Sequence, residues 1–318
     1  MEEYRSLRTE SSIGLKPLES EEGVFRKGAN LKPHPDAPNP VLTKDDVDDV
    51  LTRFVADPFI VYESGVYNLF FEIKSIGGNV FIGHAFSEDG LEYTYNQVVI
   101  EPEFAQHTYP YVFKLDGQWM MVPSPGANVN GQFRVYEAVD FPIEWRLRAV
   151  PIQERVRQDP TPIFHDDRWF LIYQDTDTWD VELKHSDSLF ADEWNTHPAS
   201  PIFENDPKEI ANCSIGGAEM VPSGRPIYNG DSVDLFYRSH INREVYHYRI
   251  TALTEDTFEQ HRFSDSTVFE GLKTNEWNRR FMHTVNPVYP WMSDEPRVAV
   301  DGLKADSYEW SIGIYTID

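Results

Sequence analysis

FVADPFIVYESGVYNLFFE, residues Phe54–Glu72, is the stretch that decides the fold. An Asp-Pro pair opens an apolar run, Ser64 and Gly65 supply a turn, and an aromatic-rich run follows. Two β-prone runs separated by turn residues predict an antiparallel hairpin. Pro58 is compatible with a strand only near its start, where the missing N–H costs no ladder hydrogen bond. The sequence therefore predicts Asp57 at the mouth of a strand.

The same pattern recurs along the chain. It returns at Thr108–Pro123 and Gln158–Asp175, and more loosely at Gly224–Arg238 and Val285–Gly302. A third β-prone segment follows each hairpin, and short fourth runs end at Leu42, Ile100, Ile152, Ile202 and Val268, spaced 58, 52, 50 and 66 residues apart. Four strands per repeat at this spacing are typical of a β-propeller blade. We therefore predict an all-β fold, a five-bladed β-propeller with four-stranded antiparallel blades.

A repeat that runs from end to end predicts one domain over residues 1–318. The predicted blades cover approximately residues 55–100, 108–152, 158–202, 219–268 and 283–317, and residues 1–42 form a closing segment. Because the last blade stops at its third strand, we expect a segment within Ile13–Leu42 to pair beside the carboxy-terminal strand. Ser20–Pro38 would be the loop that brings it there, and Thr43–Phe54 could hold one or two helical turns behind Thr43.

Composition limits the classes of partner. The formal net charge is −25, with 53 acidic and 28 basic residues, and no basic patch is visible. This argues against nucleic acid and against an anionic membrane. Such acidity serves solubility or suits a surface to high salt, as in halophilic proteins. Cys213 is the single cysteine, so no intrachain disulfide can form, and without an apolar signal segment we expect a cytoplasmic protein.

Side chains at the blade entrances are the candidates for function. The first strand of every blade lines the central channel of a propeller, so residues at its start meet at one mouth. Aligned on their prolines, the repeats place five residues there, namely Asp57, Tyr109, Asp159, Arg225 and Asn286. One Asp-Pro pair alone reads equally well as a turn cap. Two copies on the same rim favour function.

These motifs carry a family resemblance. Asp-Pro at Asp57 and Asp159, in a chain of five β units, resembles the five-bladed propeller glycosidases, particularly glycoside hydrolase family 43. The phrases Asn39–Phe59, Tyr109–Phe113, Phe141–Trp145 and Trp194–Ile202 resemble the family-43-like domain at the amino end of glucosamine inositolphosphorylceramide transferases and in related microbial proteins. The resemblance covers roughly residues 39–260.

The resemblance implies roles for three acids. It makes Asp57 the general base, Asp159 the residue that tunes pKa and orientation, and a blade-four glutamate the general acid. This sequence departs from the family at the third, because Gly224-Arg225-Pro226 stands where the hydrolases carry Glu-Gly-Pro. Glu219 is the nearest acid and the provisional proton donor, although it reads equally well as a solvated loop residue.

An arginine at this place suggests another chemistry. Arg225 with Arg238, His240 and Arg243 could form a cationic wall for a carboxylate, sulfate or phosphate, which arginine binds bidentately. Surface ion pairs with the many acids are the alternative reading.

Further candidates come from the ends of strands and from aromatic side chains. Glu72 and Asp175 lie at the ends of second strands, either on the rim of the pocket or on the opposite rim. His107 and His283 lie in the loops that enter their blades, where they could hydrogen-bond a sugar hydroxyl or serve only as packing residues. Possible stacking platforms for sugar rings are Tyr109, Trp179 and Trp291. No zinc spacing, phosphate loop or Ser-His-Asp order is present. We predict no metal and no cofactor, since calcium in the channel, known in look-alikes, has no ligand set in the sequence.

Three functions remain open at this point. The first is a glycoside hydrolase-like enzyme acting on a carbohydrate by carboxylate acid/base catalysis. The second is a non-hydrolytic glycan-binding or accessory module that kept the pocket and lost the acid. The third is glycosyl transfer or phosphorolysis of a sugar phosphate at an arginine-lined anion site.

Overall fold

The computed structural model describes residues 31–101, 106–125, 132–153, 158–175, 177–206, 208, 220–229, 231–242, 244–263, 268–270, 277–292, 296–305 and 307–317. The strands in chain order are β1 (Leu31–Pro33), β2 (Thr52–Glu63), β3 (Val66–Ser75), β4 (Val80–Ser87), β5 (Thr94–Ile100), β6 (His107–Leu115), β7 (Gln118–Pro125), β8 (Phe133–Asp140), β9 (Glu144–Ile152), β10 (Gln158–His165), β11 (Arg168–Gln174), β12 (Val181–Ser186), β13 (Asn195–Thr196), β14 (Val221–Pro222), β15 (Ile227–Asn229), β16 (Ser232–Ser239), β17 (Glu244–Leu253), β18 (Phe258–Arg262), β19 (Phe269–Glu270), β20 (Phe281–Pro287), β21 (Val298–Leu303) and β22 (Trp310–Ile317). None of the helices in these ranges is long and apolar enough to span a membrane.

The strands form five antiparallel sheets, which confirms the predicted five-bladed propeller. Blades one, two and three have the strand orders β2-β3-β4-β5, β6-β7-β8-β9 and β10-β11-β12-β13. In blade four the order is β14-β16-β17-β18, with β15 also paired to β16 and β19 to β17. Blade five has the order β20-β21-β22-β1.

Ring closure takes place in blade five. β1 pairs antiparallel with β22, from Leu31 opposite Ile317 to Pro33 opposite Tyr315. The predicted closure by an amino-terminal strand is confirmed, although the strand lies inside the stretch Ser20–Pro38 that we expected to be a loop. The expected helical segment is one 3-10 turn, Lys44–Asp46, capped by Thr43.

Tight turns fix the register of the first three hairpins. Both central residues have positive φ in each, at Ser64 (53°) and Gly65 (89°), Asp116 (49°) and Gly117 (79°), and Asp166 (48°) and Asp167 (59°). Such turns match the twist of the strands, so the hairpin ends are set by local sequence. Residues can therefore be compared between blades by counting from these turns.

A β-bulge interrupts the first strand of four blades at the same depth. In blades one to three the bulge places Asp57, Tyr109 and Asp159 at φ of 50°, 47° and 51°. In blade five the bulge falls at His283 and Thr284. A bulge redirects a side chain and breaks the ladder, and the proline that follows it loses no hydrogen bond in blades one to three.

Counting from the turn changes the proline-based alignment in blade four, and the position of the bulge changes it in blade five. Arg225 stands four residues before the pair that closes its hairpin, as Phe59 and Tyr111 do in theirs. Its guanidinium accordingly lies over the rings of Phe59 and Tyr111, at 5.7 and 5.5 Å from their centroids. By this count Ser223 takes the strand position of Asp57 in blade four, and the bulge places His283, three residues before Asn286, at that position in blade five.

Candidate functional site

Asp57 is buried at the bulge of β2 with an incompletely satisfied carboxylate. The residue is 6% exposed, and Oδ1 has no hydrogen-bond partner among the described residues. The backbone N–H of Asp57 donates to Asp301 Oδ2 at 2.9 Å. Nε2 of His283 lies 3.7 Å from Oδ1. Asp57 therefore presents a free acceptor to a polar neighbourhood.

Glu72 lies beside Asp57 on the neighbouring strand. The pairing of β2 with β3 sets Ala56 opposite Glu72, whose side chain is 8% exposed. The Glu72 carboxyl makes a hydrogen-bonding contact with that of Asp57, which two carboxyls can do only when one holds a proton. Of the two strand-end acids singled out in the sequence, Glu72 belongs to this site.

Asp159 and Arg238 form a buried ion pair from blades three and four. Arg238 Nη2 donates to Asp159 Oδ2 at 2.5 Å, and the two side chains are 3% and 2% exposed. Arg238 Nη1 donates to the carbonyl of Pro222 at 2.8 Å, and Nε donates to His240 Nε2 at 2.9 Å. Arg238 stands six residues after its hairpin turn, the place that Glu72 fills in blade one. Its contacts neutralise Asp159 and orient His240.

His283 connects this ion pair to Asp57. Its ring stacks on Trp310, with centroids 4.1 Å apart and planes 22° apart, and lies parallel to His240 at 6.4 Å. Nδ1 of His283 is 2.6 Å from Asp301 Oδ1. We call the six side chains that meet here, contributed by blades one, three, four and five, the axial acid layer: Asp57, Glu72, Asp159, Arg238, His283 and Asp301.

Burial and like charge set the protonation of this layer. Burial and then the charge of Glu72 raise the pKa of Asp57 well above its usual range. Burial raises the pKa of Glu72 to about 7. Burial acts the same way on Asp301, but the electrostatic interaction with His283 and the hydrogen bonds that Asp301 accepts outweigh it and hold that pKa low. The Asp57–Glu72 pair therefore keeps a proton near neutral pH, whereas Asp301 stays ionised.

Three members of the layer offer ligand atoms for a cation. Single atoms of Asp57, His283 and Asp301 all lie within 4.8 Å of one another. Two carboxylates and an imidazole suit several divalent ions. The sequence prediction named no such ligand set, because Asp301 stands in no recognisable motif.

Tyr109 and His107, the two residues of β6 that we predicted to contact a sugar, are both buried. Tyr109 is fully buried, and its hydroxyl both donates to the carbonyl of Gly224 and accepts from the N–H of Gly224. His107 Nε2 is 2.9 Å from the hydroxyl of Tyr136, and burial together with Arg134 lowers the pKa of His107 to about 4. The Tyr109 hydroxyl is thus occupied by internal hydrogen bonds, whereas Nδ1 of His107 has no hydrogen-bond partner among the described residues.

Arg225 and Asn286 lie one layer deeper than Asp57. Arg225 donates to the carbonyls of Val112 at 2.7 Å and Ile60 at 3.5 Å. Asn286 donates to the carbonyl of Pro58 at 2.5 Å and accepts from the N–H of Arg225 at 2.8 Å. These contacts join blades one, two, four and five below the layer, so they differ from the cationic wall expected for Arg225.

The remaining candidates lie elsewhere. Glu219 and Arg243 fall outside the described residues. Asp175 caps a turn through the N–H of Asp177 at 2.7 Å, and the N–H of Trp179 donates to the carbonyl of Asp175 at 2.6 Å. Trp291 packs against the apolar core beside blades one and five.

One family model matches residues 6–302, and its description is "Glucosamine inositolphosphorylceramide transferase 1, N-terminal". Two curated proteins named glucosamine inositolphosphorylceramide transferase 1 are similar to this chain. The one from Oryza sativa subsp. indica is 26% identical over 288 residues, 87% of this chain and 36% of its own length. The one from Arabidopsis thaliana is 28% identical over 279 residues, 85% of this chain and 34% of its own length. The chain thus spans about a third of these relatives.

Solved structures share the fold at low identity. A protein of the GH130 family of mannoside phosphorylases, described for hydrolases of β-1,2-mannosidic linkages in Candida mannan, has a TM-score of 0.63 and 12% identity, covering 96% of each chain. The α-L-arabinofuranosidase of Podospora anserina, solved with cellotriose, has a TM-score of 0.64 and 11% identity, covering 94% of this chain and 99% of that one.

Proposed function

The chain belongs to the family described as glucosamine inositolphosphorylceramide transferase 1, N-terminal, and from this premise we propose that its axial acid layer binds a carbohydrate and acts on a glycosidic bond. One observation carries the proposal. Asp57 and Asp159 are 102 positions apart in the sequence, yet they meet in one buried cluster that also holds Arg238 and His283. Burying this many charged groups is unfavourable for folding alone, which is why such clusters mark functional sites.

The cluster contains the groups that glycosidic chemistry needs. Cleavage of a sugar–oxygen bond requires a carboxyl that carries a proton and a second carboxylate that acts as base or nucleophile. The Asp57–Glu72 pair keeps one proton near neutral pH, since burial raises the pKa of both. In the proposal this pair gives its proton to the leaving oxygen as the sugar–oxygen bond breaks, and the carboxylate that remains takes a proton from the water that attacks the anomeric carbon. Asp159, neutralised by Arg238, positions the sugar.

Charge balance selects among sugars. The layer holds four carboxyl groups and one guanidinium, and the three nitrogens of that guanidinium all donate to protein atoms. A sugar phosphate or uronic acid would meet surplus negative charge there, so we propose a neutral or amine-bearing saccharide. The described contacts of Arg225 and Arg238 accordingly give the phosphorolytic alternative little support.

A glycan-binding module is the second candidate, favoured by one observation. Ser223 stands in blade four at the strand position of Asp57, and its hydroxyl donates to the carbonyl of His283. No separate acid from blade four therefore enters the described part of the layer, where family 43 hydrolases place their proton donor.

Turnover and binding assays distinguish the two candidates. A panel of p-nitrophenyl glycosides, including β-D-mannoside, α-L-arabinofuranoside and β-D-glucosaminide, would be incubated with the protein in low and in molar salt. The free sugars would be tested for binding by saturation-transfer NMR. For any donor that is turned over, Asp57→Asn is expected to lower kcat by about 10²-fold or more while binding persists. Binding without turnover would support the module, and absence of both would contradict a carbohydrate site.

A further inference from the structure

Asp301 lies at the seam between the last blade and the first. Its fully buried carboxylate on β21 accepts hydrogen bonds from four N–H groups. Three come from blade five: the backbone N–H of His283 at 3.3 Å, that of Thr284 at 3.0 Å, and Nδ1 of His283 at 2.6 Å. The fourth is the backbone N–H of Asp57 at 2.9 Å, which crosses the seam from blade one.

The bond to Asp57 supports a strained backbone. Asp57 has φ of 50°, and the bulge leaves its N–H without a ladder partner. Asp159 has the same conformation in blade three, and its N–H donates to Ser124 Oγ of the preceding blade at 3.0 Å. Because a neutral hydroxyl suffices there, the carboxylate at position 301 must serve something besides this N–H.

The second role of the Asp301 carboxylate is to orient the imidazole of His283. An ionised carboxylate can only accept, so the 2.6 Å contact with Asp301 fixes the proton of the ring on Nδ1. Nε2 then points to Asp57 Oδ1 across 3.7 Å, and stacking on Trp310 prevents the ring from turning. Asp301 thus sets both the backbone of Asp57 and the ring that faces its carboxylate.

We propose that Asp301 is a positioning residue, which holds Asp57 and His283 in register across the seam so that closing the ring assembles the site. The geometric part of this proposal needs no assigned activity, whereas its consequence for catalysis rests on the proposed function. The amino-terminal strand β1 completes the same sheet that carries Asp301. Closure of the propeller and assembly of the axial acid layer are therefore one structural event.

NMR on the whole chain tests the proposal without a substrate. Long-range ¹H–¹⁵N correlations report the tautomer of His283, assigned with His283→Gln, and amide exchange reports the N–H of Asp57, all in EDTA. In the unaltered protein we expect the Nδ1–H tautomer and a slowly exchanging Asp57 amide. Asp301→Asn should mix the tautomers and speed exchange at Asp57 by about tenfold or more. An Nε2–H tautomer in the unaltered protein would overturn the proposal even if Asp301→Asn failed to fold.

Asp234→Asn is the matched control. Asp234 is also fully buried and accepts from Arg249 Nε at 2.6 Å and Nη2 at 2.9 Å, but it lies within blade four. The Asp234→Asn substitution should lower stability without changing the NMR signals of His283 or Asp57. Equal changes at these two residues in both variants, or none in Asp301→Asn, would refute a positioning role.

The glycoside assay separates this proposal from the function on which it builds. If a p-nitrophenyl glycoside is turned over, Asp301→Asn should lower kcat by at least about tenfold with little change in KM, as expected when a carboxylate that orients an imidazole is lost. Unchanged kcat would refute the catalytic consequence of this positioning and leave the function standing. Altered NMR signals in a protein that turns over no glycoside would refute the function and leave the positioning role.

Discussion

The proton held by Glu72 should make the stability of this protein fall as the pH rises. Burial raises the pKa of Glu72 from 4.5 to about 7 in the folded state. Between these two values the unfolded chain has released the proton while the folded protein retains it. Stability from this group is thus fully present below pH 4.5 and is lost as the pH passes through about 7. Glu72→Gln removes the titration while its amide keeps the shape of a protonated carboxyl.

The size of the effect follows from the shift. One pKa unit corresponds to about 1.4 kcal/mol. A shift of the Glu72 pKa from 4.5 to about 7 therefore changes the free energy of unfolding by about 3 kcal/mol across this range. The side chain is 8% exposed, so solvent screening reduces the figure little. Relative to Glu72→Gln, the unaltered protein should lose about 3 kcal/mol between pH 5 and pH 8.

Urea unfolding at fixed ionic strength measures this difference. Curves would be recorded in EDTA at half-unit steps for the unaltered protein, Glu72→Gln and Glu63→Gln. Glu63 lies at the other end of the same hairpin, is partly exposed, and pairs with Lys114 at 2.8 Å. Its replacement controls for the loss of any carboxyl from blade one. Parallel curves for the unaltered protein and Glu72→Gln would refute the argument that Glu72 carries a proton.

Two further changes test the packing of the layer by urea unfolding. Arg238→Gln leaves Asp159 charged and buried, so we expect the free energy of unfolding to fall by about 3–5 kcal/mol. The double variant Arg238→Gln/Asp159→Asn should recover a part of this loss, and additive losses would contradict the coupling. Gly224→Ala should cost more than about 2 kcal/mol, because a Cβ there would lie 1.9 Å from the carbonyl oxygen of Val285 at φ of 130°. Gly65→Ala, at φ of 89° with no atom within 4 Å of its Cβ, should cost only about 1 kcal/mol, and equal losses would contradict the clash.

The fold was predictable because its signal is local and repeated. Turn pairs such as Ser64-Gly65 set the hairpins, and alternation of apolar residues sets the buried faces. The depth of a residue along the channel depends instead on the number of residues between the bulge and the turn. Blades one to three share that number, so Asp57 and Asp159 were placed together from sequence. In blade four the segment after Pro226 is shorter, and aligning on the proline placed Arg225 one layer too high.

The partners of Asp57 carry no signal that sequence alone would reveal. Glu72 reaches the layer because strand pairing sets it opposite Ala56, and its counterparts in blades two, three and four are Ser124, Gln174 and Arg238. Counting six residues forward from each turn would have found this ring, whereas Asp175 lies one residue past it. Asp301 sits in VAVDGL, where an aspartate between apolar residues reads as a turn. Its role depends on a neighbour across the closed ring.

The two successive layers of the channel separate structure from function. In the deeper one, Arg225 donates to two carbonyls and lies over three aromatic rings, including that of Tyr289 at 5.0 Å. Its guanidinium is thus enclosed by atoms of blades one, two and five, although Nε has no hydrogen-bond partner among the described residues. In the layer above, four carboxyls face one guanidinium, and Asp57 Oδ1 is without a hydrogen-bond partner among the described residues. Replacing buried ion pairs by apolar side chains of similar volume is often neutral or stabilising. We therefore expect these acids to add little to stability, in line with the proposal that a ligand completes their hydrogen bonds.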